Sequence, residues 1–483
     1  MSKKIICLCL VFLFLLSLLS CGKKQDGKEN DGSQGTENVG GGAFKAGYGI
    51  ADITPDLPIE LNTNELLTRV EEPIYATCIA LNDGDSTVLL FSLDIKSIPD
   101  AQDKSLRELI STRTGVLEEN IFLHATHNHS APTPGVPSSS VAIIKWTTFF
   151  KLQAIEAAVA AIADLSSAKM LSGVAKTPNY AFVRRYIHED GSFSGIHVKN
   201  VSQTKIVAHE TEADDSVQIV RFVRDGKKDI LIANWQAHAA HAIIKYGDAV
   251  AGDIPYHFRK RIEEKDDDLL AALFFGASGN INLTPKIQSR NMCNADYVKV
   301  GTFLASTVYG QLEELSEMKT DRISVLSSYC VAPYREVSSE EVERAELVLA
   351  AGEPGSAEYE EALVKYGFNS RYEVSTVISL SARQGKNGEM MLRTIAVGDL
   401  AFAAVPYEMF DTNGMEVKTG SPYKMTFILA TTNGSQGYMP SAIAVPNGGY
   451  EVYTSSYKYG TAEKVVAKLL DMLDEMKNNA NGQ

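Results

Sequence analysis

Cysteine and long apolar runs are both scarce in this sequence. The 483 residues include 6 cysteines, and only Cys78, Cys293 and Cys330 lie beyond residue 21. Three widely spaced cysteines allow at most one disulfide bond, which excludes a disulfide-built scaffold. Only one stretch is apolar enough to enter a bilayer, so a membrane protein with several spans is also excluded.

Basic residues are fewer than acidic residues in this sequence. The 46 Lys and Arg face 60 Asp and Glu, which gives a formal net charge of -14. Phosphate binding requires clustered Lys and Arg, so a non-specific nucleic-acid binder is excluded. With 36 Gly and 16 Pro the chain is not collagen-like, and its 45% hydrophobic and 22% charged residues are typical of a globular protein.

The first twenty residues predict an export signal. Lys3 and Lys4 precede an almost unbroken apolar run over Ile5–Leu19, which is too short to span a bilayer as a helix. The run ends in Leu-Leu-Ser followed by Cys21. This ending resembles the lipobox of bacterial lipoproteins, in which the cysteine is lipidated and becomes the mature N-terminus. An ordinary secretory signal cleaved nearby is the alternative.

The chain is therefore expected to divide into three parts. Residues 1–20 are a lipoprotein signal peptide, and residues 21–42 are the lipidated cysteine with a flexible, Gly-rich tether. Residues 43–483 form one domain. The lipobox resemblance implies a protein of the bacterial cell envelope, anchored to a membrane by its lipid and facing the periplasm or the cell exterior.

Strands and helices alternate along this domain. Strands are predicted at Ile74–Leu81, Thr87–Leu93, Ile121–Ala125, Val217–Val223, Asp229–Asn234, Leu269–Phe275, Leu392–Val397, Ala401–Val405 and Met425–Ala430. Helices are predicted at Asp100–Ser111, Pro255–Glu264, Ala295–Leu315, Glu340–Ala351 and Ala462–Met476. Turn residues join Ile74–Leu81 to Thr87–Leu93 in one predicted hairpin. They join Val217–Val223 to Asp229–Asn234 in a second. The pattern predicts a layered α/β fold with a mixed sheet and flanking helices.

A pair of histidines follows the third predicted strand. His127 and His129 are two residues apart, so on an extended segment both side chains would lie on the same side. Neutral imidazole is a good zinc ligand, which makes this pair a candidate metal site. A pair of hydrogen-bonded loop histidines is the alternative. His124, within the strand, is expected to be a core residue.

Two more histidines follow the fifth predicted strand. His238 and His241 lie in the segment after it, and Asp253 precedes the next helix, where we expect it to be the N-cap. The strand Leu269–Phe275 leads into a loop of small residues, 276–282, which allows the backbone to approach a ligand closely.

The last candidate residues are one acid and two aromatics. Glu408 follows a buried strand, where it could be a ligand or the start of a helix, and acids are favoured at helix starts. Tyr438 and Tyr450 lie on Gly-rich loops, where aromatic residues commonly serve in packing or as substrate walls.

Taken in order, these segments resemble the neutral ceramidase family, the neutral/alkaline non-lysosomal type. The matching segments are Ala46–Thr54, Ala125–Ser130, Asn234-Trp235 with His238, Val405–Glu408, and Tyr438 with Tyr450. The resemblance implies that one zinc ion is held by His127, His238, Glu408 and Tyr438. One residue fewer separates Trp235 from His238 than in the family, so His241 is an alternative ligand.

The resemblance also implies catalytic roles. His129 would shuttle protons, Tyr450 would hydrogen-bond the oxyanion, and Arg184 would lie near the site, although Arg185 matches almost as well. Asn280 and Asn282 stand where the family has Asp and Ser. The family's C-terminal immunoglobulin-like domain is not expected here, since the last predicted helix is Ala462–Met476.

The implied function is a zinc-dependent hydrolase. It would cleave the acyl–nitrogen bond of an amphipathic N-acyl substrate with a zinc-activated water, as ceramidases do. One alternative is a hydrolase of the same scaffold acting on an ester or glycan linkage, since fold does not fix substrate. The other is a non-catalytic surface lipoprotein that binds glycans or lipids through its aromatic loops.

Overall fold

The computed structural model describes residues 43–62, 65–135, 140–199, 201–283, 296–320 and 322–481. The predicted signal peptide, Cys21, the tether and Cys293 lie outside these ranges. Cys78 and Cys330 are buried free thiols. Within the described ranges, every helix is too short or too polar to cross a bilayer.

The helices are α1 (Asp100–Thr114), α2 (Val141–Ala163), α3 (His241–Tyr246), α4 (Asp253–Lys265), α5 (Tyr297–Gly310), α6 (Ser339–Ala351), α7 (Ala357–Lys365), α8 (Arg371–Ser381), α9 (Asp411–Gly420), α10 (Tyr450–Tyr453) and α11 (Thr461–Asn481). The strands are β1 (Lys45–Asp52), β2 (Ile59–Asn62), β3 (Glu65–Leu67), β4 (Arg69–Val70), β5 (Tyr75–Asn82), β6 (Thr87–Leu93), β7 (Ile121–Ala125), β8 (Ser166–Lys176), β9 (Phe182–Val183), β10 (Tyr186–His188), β11 (Phe193–Ser194), β12 (Ile206–His209), β13 (Ser216–Arg224), β14 (Asp229–Trp235), β15 (Ala249–Val250), β16 (Leu269–Phe275), β17 (Ile281–Asn282), β18 (Ser316–Met318), β19 (Ile323–Pro333), β20 (Asn387–Val397), β21 (Leu400–Ala404), β22 (Glu408–Met409), β23 (Met425–Leu429) and β24 (Tyr438–Met439).

Two sheets dominate the described part of the chain. The larger has 9 strands in the order β16-β14-β13-β8-β1-β5-β6-β7, with β18 beside β8. Strands β6 and β7 pair in parallel, as do β14 and β16, while β5 and β6 pair antiparallel. The second sheet, β19-β20-β21-β23, contains the parallel pair β21–β23. The prediction of a mixed sheet with flanking helices is confirmed.

Both faces are buried over most of the larger sheet, although β8 is partly exposed. In β5, Cys78 and Ala80 pack towards α1 and α2, whereas the alternating Ile79 and Leu81 pack towards the second sheet. Helices α4 and α5 cover the part formed by β13, β14 and β16. Helices α9 and α11 cover the outer face of the second sheet. The order of layers is helix, sheet, sheet, helix, and for this reason β5, β6, β7 and β16 are apolar almost throughout, whereas β8 and β19 are only partly buried.

Helix α2 lies directly against β1. A side-chain carbon at Gly47 would come within 2.0 Å of the Ala161 carbonyl oxygen, and one at Gly49 within 2.1 Å of the Ala157 carbonyl oxygen. Only glycine allows this approach of helix to strand. Both glycines belong to segment 46–54, one of those on which the sequence resemblance rests.

The predicted local elements are largely present. Strands β5 and β6 form one of the two predicted hairpins, and β13 and β14 form the other. Ser338 and Glu341 make a reciprocal capping box at the start of α6. The sequence alone predicts no element over 141–163, because the β-branched and aromatic residues that begin this segment hide the helical period.

Candidate metal centre

Three candidate ligands meet near strand ends. His127 lies just beyond Ala125, the last residue of β7, and His238 lies just beyond Trp235, the last residue of β14. Glu408 opens β22, a short strand that follows β21. The ring centroids of His127 and His238 are 4.6 Å apart. Three segments far apart in sequence thus converge on one small volume.

Two backbone carbonyls fix the tautomers of these histidines. His127 Nδ1 lies 3.0 Å from the Lys96 carbonyl oxygen, and His238 Nδ1 lies 3.2 Å from the Ser278 carbonyl oxygen. A carbonyl oxygen can only accept, so each Nδ1 carries the hydrogen and donates it. Each Nε2 is therefore left with a lone pair, the arrangement typical of metal-ligating histidines.

The Glu408 carboxylate faces both lone pairs. Its Oε2 lies 3.2 Å from His127 Nε2 and 3.7 Å from His238 Nε2. The same oxygen is buried and accepts no well-directed hydrogen bond from the described residues. When both histidines are neutral, three acceptors converge here, which is unfavourable unless a cation joins them. A metal ion fits this donor set.

The protonation states suit metal binding. Burial and the positive charge of Arg184 hold the pKa of His238 well below its usual value. Burial alone would raise the pKa of Glu408, but positive charge on the facing imidazoles, which a proton carries when no metal ion is bound, outweighs burial and holds that pKa at about 2. Near neutral pH, His238 is neutral and Glu408 is ionised, as metal ligation requires.

His129 completes a group of three histidines. Its ring centroid lies 4.8 Å from that of His127 and 5.4 Å from that of His238. The ligand atoms of the three residues all lie within 4.8 Å of one another, so together they could hold a metal ion. His129 Nε2 is buried and has no hydrogen-bond partner among the described residues. This atom is therefore available either to a metal or to a proton.

Tyr438 is placed beside Glu408 by backbone pairing. The two residues are register partners in the parallel pair of β22 and β24. The Tyr438 hydroxyl is buried and accepts a hydrogen bond of 3.1 Å from Arg184 Nη2. Burial and the Glu408 charge raise the pKa of Tyr438 well above its usual value, while Arg184 opposes them. Tyr450 contacts Tyr438 at a centroid distance of 5.4 Å.

The structure distinguishes Arg184 from Arg185. Arg184 reaches Tyr438, whereas Arg185 binds Glu210 and the carbonyl oxygens of Ala444 and Gly448. Only Arg184 lies at the candidate centre, although the two residues are adjacent in sequence.

Sequence analysis missed Glu451 as a site residue. It binds both arginines and is buried. The only feature of the sequence that indicated a functional role for Glu451 was its position directly after Gly448, Gly449 and Tyr450.

Aromatic residues from three segments surround Tyr450. The His197 ring centroid lies 4.9 Å from that of Tyr450, and the Tyr372 centroid lies 5.8 Å from it. Tyr372, on α8, is 41% exposed. These rings therefore connect the buried centre with solvent, and neither His197 nor Tyr372 was predicted.

The backbone at His127 differs from the expectation. The residue is not extended: β7 ends at Ala125 and the φ angle of His127 is 55°. This left-handed conformation is uncommon for a non-glycine residue and is concentrated at functional sites. His127 and His129 are neighbours because of a sharp loop, not because they alternate along a strand.

The prediction that Asp253 caps its own helix was wrong. Asp253 is the first residue of α4, with a φ angle of 49°, and Gly252 occupies the N-cap position. The Asp253 Oδ1 accepts from the adjacent Ile254 N–H at 2.7 Å, while its Oδ2 accepts from the backbone N–H groups of His241 and Ala242, at 2.9 and 2.8 Å. Asp253 thus satisfies the free N–H groups at the start of α3, a neighbouring helix that the sequence did not predict.

His124 is a core residue, as expected. It is fully buried, its Nδ1 donates to the Ala430 carbonyl oxygen at 2.9 Å, and its Nε2 accepts from the Phe275 N–H at 3.0 Å. Burial lowers the pKa of His124 to about 3. It joins three strands and is not available to a metal.

Substitution of the two later histidines separates the remaining ligand alternatives. His238 belongs to the group of close ligand atoms and His241 does not. We expect His238→Ala to lose bound metal and His241→Ala to keep it, measured as metal per folded protein after dialysis. Metal loss in His241→Ala with retention in His238→Ala would reverse the assignment.

Comparison with known proteins supports the fold. No protein-family model matches the sequence, and no curated protein matches it. A crystal structure of neutral ceramidase from Pseudomonas aeruginosa matches with a TM-score of 0.66 at 15% sequence identity, covering 90% of this chain and 75% of that chain. A structure of ceramidase complexed with C2 matches with a TM-score of 0.65 at 14% identity, covering 90% and 76%. The chain therefore has the neutral ceramidase fold, which the sequence resemblance predicted.

Proposed function

We propose that this protein is a zinc-dependent hydrolase that cleaves the acyl–nitrogen bond of an amphipathic N-acyl substrate. One observation carries the proposal: the Nε2 atoms of His127 and His238 and the Oε2 atom of Glu408 converge in a neutral ceramidase fold. The two solved structures of this fold are described as ceramidases.

Four side chains would hold the ion: His127, His238, Glu408 and Tyr438. Zinc commonly takes imidazole and carboxylate ligands. When bound, it would supply a Lewis acid that polarises an acyl carbonyl and brings the pKa of water towards neutrality. The Tyr438 phenol is the least common ligand of the set, and the positive charge of Arg184 beside it favours its ionisation.

The neighbouring residues would handle the proton and the developing charge. His129 Nε2 would accept a proton from the attacking water and pass it to the departing nitrogen. Burial and the charge of Lys96 keep the pKa of His129 well below its usual value, so this imidazole is neutral before it accepts the proton. Burial raises the pKa of Tyr450, so its hydroxyl remains a donor for the oxyanion.

One departure from the family pattern has a structural explanation. Asn280 Nδ2 donates to Asp411 Oδ1 at 2.5 Å, and the Asp411 N–H donates to Asn280 Oδ1 at 2.9 Å. An Asp at position 280 would place a second carboxylate against Asp411, and Asn avoids that repulsion. Asn280 therefore stabilises this loop by pairing with Asp411. Asn282, at the second changed position, would alter the contacts that the family makes with its substrate.

The cellular setting follows from the predicted lipid at Cys21. The anchor would hold the domain at the surface of a bacterial membrane, on the periplasmic or the exterior side. Amphipathic substrates concentrate at such surfaces, so the anchor would bring enzyme and substrate together.

A substrate panel tests the proposal. Zinc-loaded protein is assayed with a long-chain N-acyl amide, the ester of the same acyl chain, and an aryl glycoside. We expect release of fatty acid and amine from the amide. Cleavage of only the ester or the glycoside would establish the same-scaffold alternative. Absence of both turnover and stoichiometric zinc would leave a non-catalytic binding protein.

A further inference from the structure

Glu451 is a buried acid without a role in the steps above. Its side chain is 1% exposed. Oε1 accepts from Arg184 Nε at 2.8 Å, and Oε2 accepts from Arg185 Nη1 at 3.1 Å. One carboxylate thus bridges two consecutive guanidinium groups, of which only the first reaches the candidate metal centre.

Arg184 is held on more than one side. Besides Glu451, its Nη2 donates to the Gly279 carbonyl oxygen at 2.7 Å and to the Tyr438 hydroxyl at 3.1 Å. A guanidinium is a planar fork, so fixing Nε on one partner also fixes the direction of Nη2. Glu451 therefore sets the angle from which Arg184 approaches Tyr438.

We propose that Glu451 is a positioning residue that acts through Arg184 on Tyr438 and thereby stabilises the metal centre. This inference rests on the proposed ligand role of Tyr438. Groups that hold a metal ligand in place from outside the coordination sphere commonly change metal affinity when they are replaced. Glu451 itself is buried behind Arg184 and would act on the site through that residue.

Glu210 provides a matched control. Its carboxylate binds Arg185, with Oε2 at 2.5 Å from Nε and Oε1 at 3.0 Å from Nη2, and it accepts from Asn447. Its side chain is 5% exposed, so it is almost as buried as Glu451. Replacing it disturbs the same arginine pair without removing a contact to Arg184.

The test compares Glu451→Gln with Glu210→Gln in the full domain. Zinc affinity is measured by competition with a chelator, and the ligand geometry by the visible absorption of the cobalt-substituted protein. We expect Glu451→Gln to weaken zinc binding by about 10–100-fold and to shift the cobalt spectrum. We expect Glu210→Gln to change neither. In turnover, Glu451→Gln should lower kcat more than it raises KM.

Glu451→Gln could fold poorly because it leaves the buried charge of Arg184 without its carboxylate partner. A double-substitution cycle that also removes this charge keeps the test decisive. If Glu451 acts through Arg184, zinc affinity in Arg184→Gln/Glu451→Gln should equal that in Arg184→Gln alone. Additive losses, or an unchanged cobalt spectrum in Glu451→Gln, would overturn the positioning role. A wild-type protein with no zinc affinity would overturn the proposed function together with it.

Discussion

Replacing His127 by alanine is expected to remove bound metal and hydrolytic turnover together. His127 Nε2 is one of three acceptors that converge on the candidate site, and its Nδ1 is already committed to the Lys96 carbonyl oxygen. We expect the loss of zinc affinity to exceed the roughly 10–100-fold that changes outside the coordination sphere cause. Elemental analysis after dialysis and hydrolysis of an N-acyl amide measure the two losses.

Two further variants separate loss of a ligand from loss of fold. His127→Asn suits the left-handed backbone at this position better than alanine, since Asn tolerates such φ values. His188→Ala removes a buried histidine whose two nitrogens bind Thr204 and Ser194, away from the metal candidates. We expect His127→Asn to lose metal and His188→Ala to keep it. Full turnover by a metal-free His127→Asn protein would refute the mechanism.

Replacing Arg185 by methionine is expected to cost about 3–5 kcal/mol of the free energy of unfolding. The guanidinium is fully buried, pairs with Glu210 and Glu451, and donates to the carbonyl oxygens of Ala444 and Gly448. Methionine has a similar length but can neither donate hydrogen bonds to the carboxylates of Glu210 and Glu451 nor neutralise their charge. The loss of unfolding free energy is measured from the shift in the denaturant midpoint, provided that the dependence of this free energy on denaturant concentration is the same in both proteins.

An exposed arginine serves as the control for this prediction. Arg69 lies 2.7 Å from Glu71 and 3.1 Å from Asp248, but all three side chains are at least one-third exposed. Water screens such pairs, so we expect Arg69→Met to shift the midpoint far less than Arg185→Met. Equal shifts in the two variants would mean that burial of the Arg185 network contributes nothing to stability.

Local sequence rules located the two histidine loops. A run of apolar residues that stops at a cluster of polar ones predicts a strand end, and His127 and His238 both follow such ends. Neutral imidazole is a common metal ligand, so the loops were candidates for a metal site, with a hydrogen-bonded histidine pair as the alternative. The ordered resemblance then extended the set to Glu408 and Tyr438, which no local rule would have joined.

Other features depended on contacts between distant segments. Glu408 resembled the start of a helix, yet that helix starts at Asp411 and Glu408 pairs instead with Tyr438, thirty positions later. Asp253 resembled the N-cap of its own helix, yet its Oδ2 accepts from the first two N–H groups of the neighbouring α3. Both residues have side chains suited to several roles, and the choice among them depends on which backbone lies opposite.

The sequence by itself determined the layered mixed sheet, the positions of nine strands and the chemical character of the site. These follow from apolar periodicity, turn residues and ligand type, which act over a few residues at a time. Only the tertiary structure decided that Arg184 rather than Arg185 approaches Tyr438, and that Glu451 joins both arginines. Consecutive residues carry the same side chain there, so the surrounding fold alone can tell them apart.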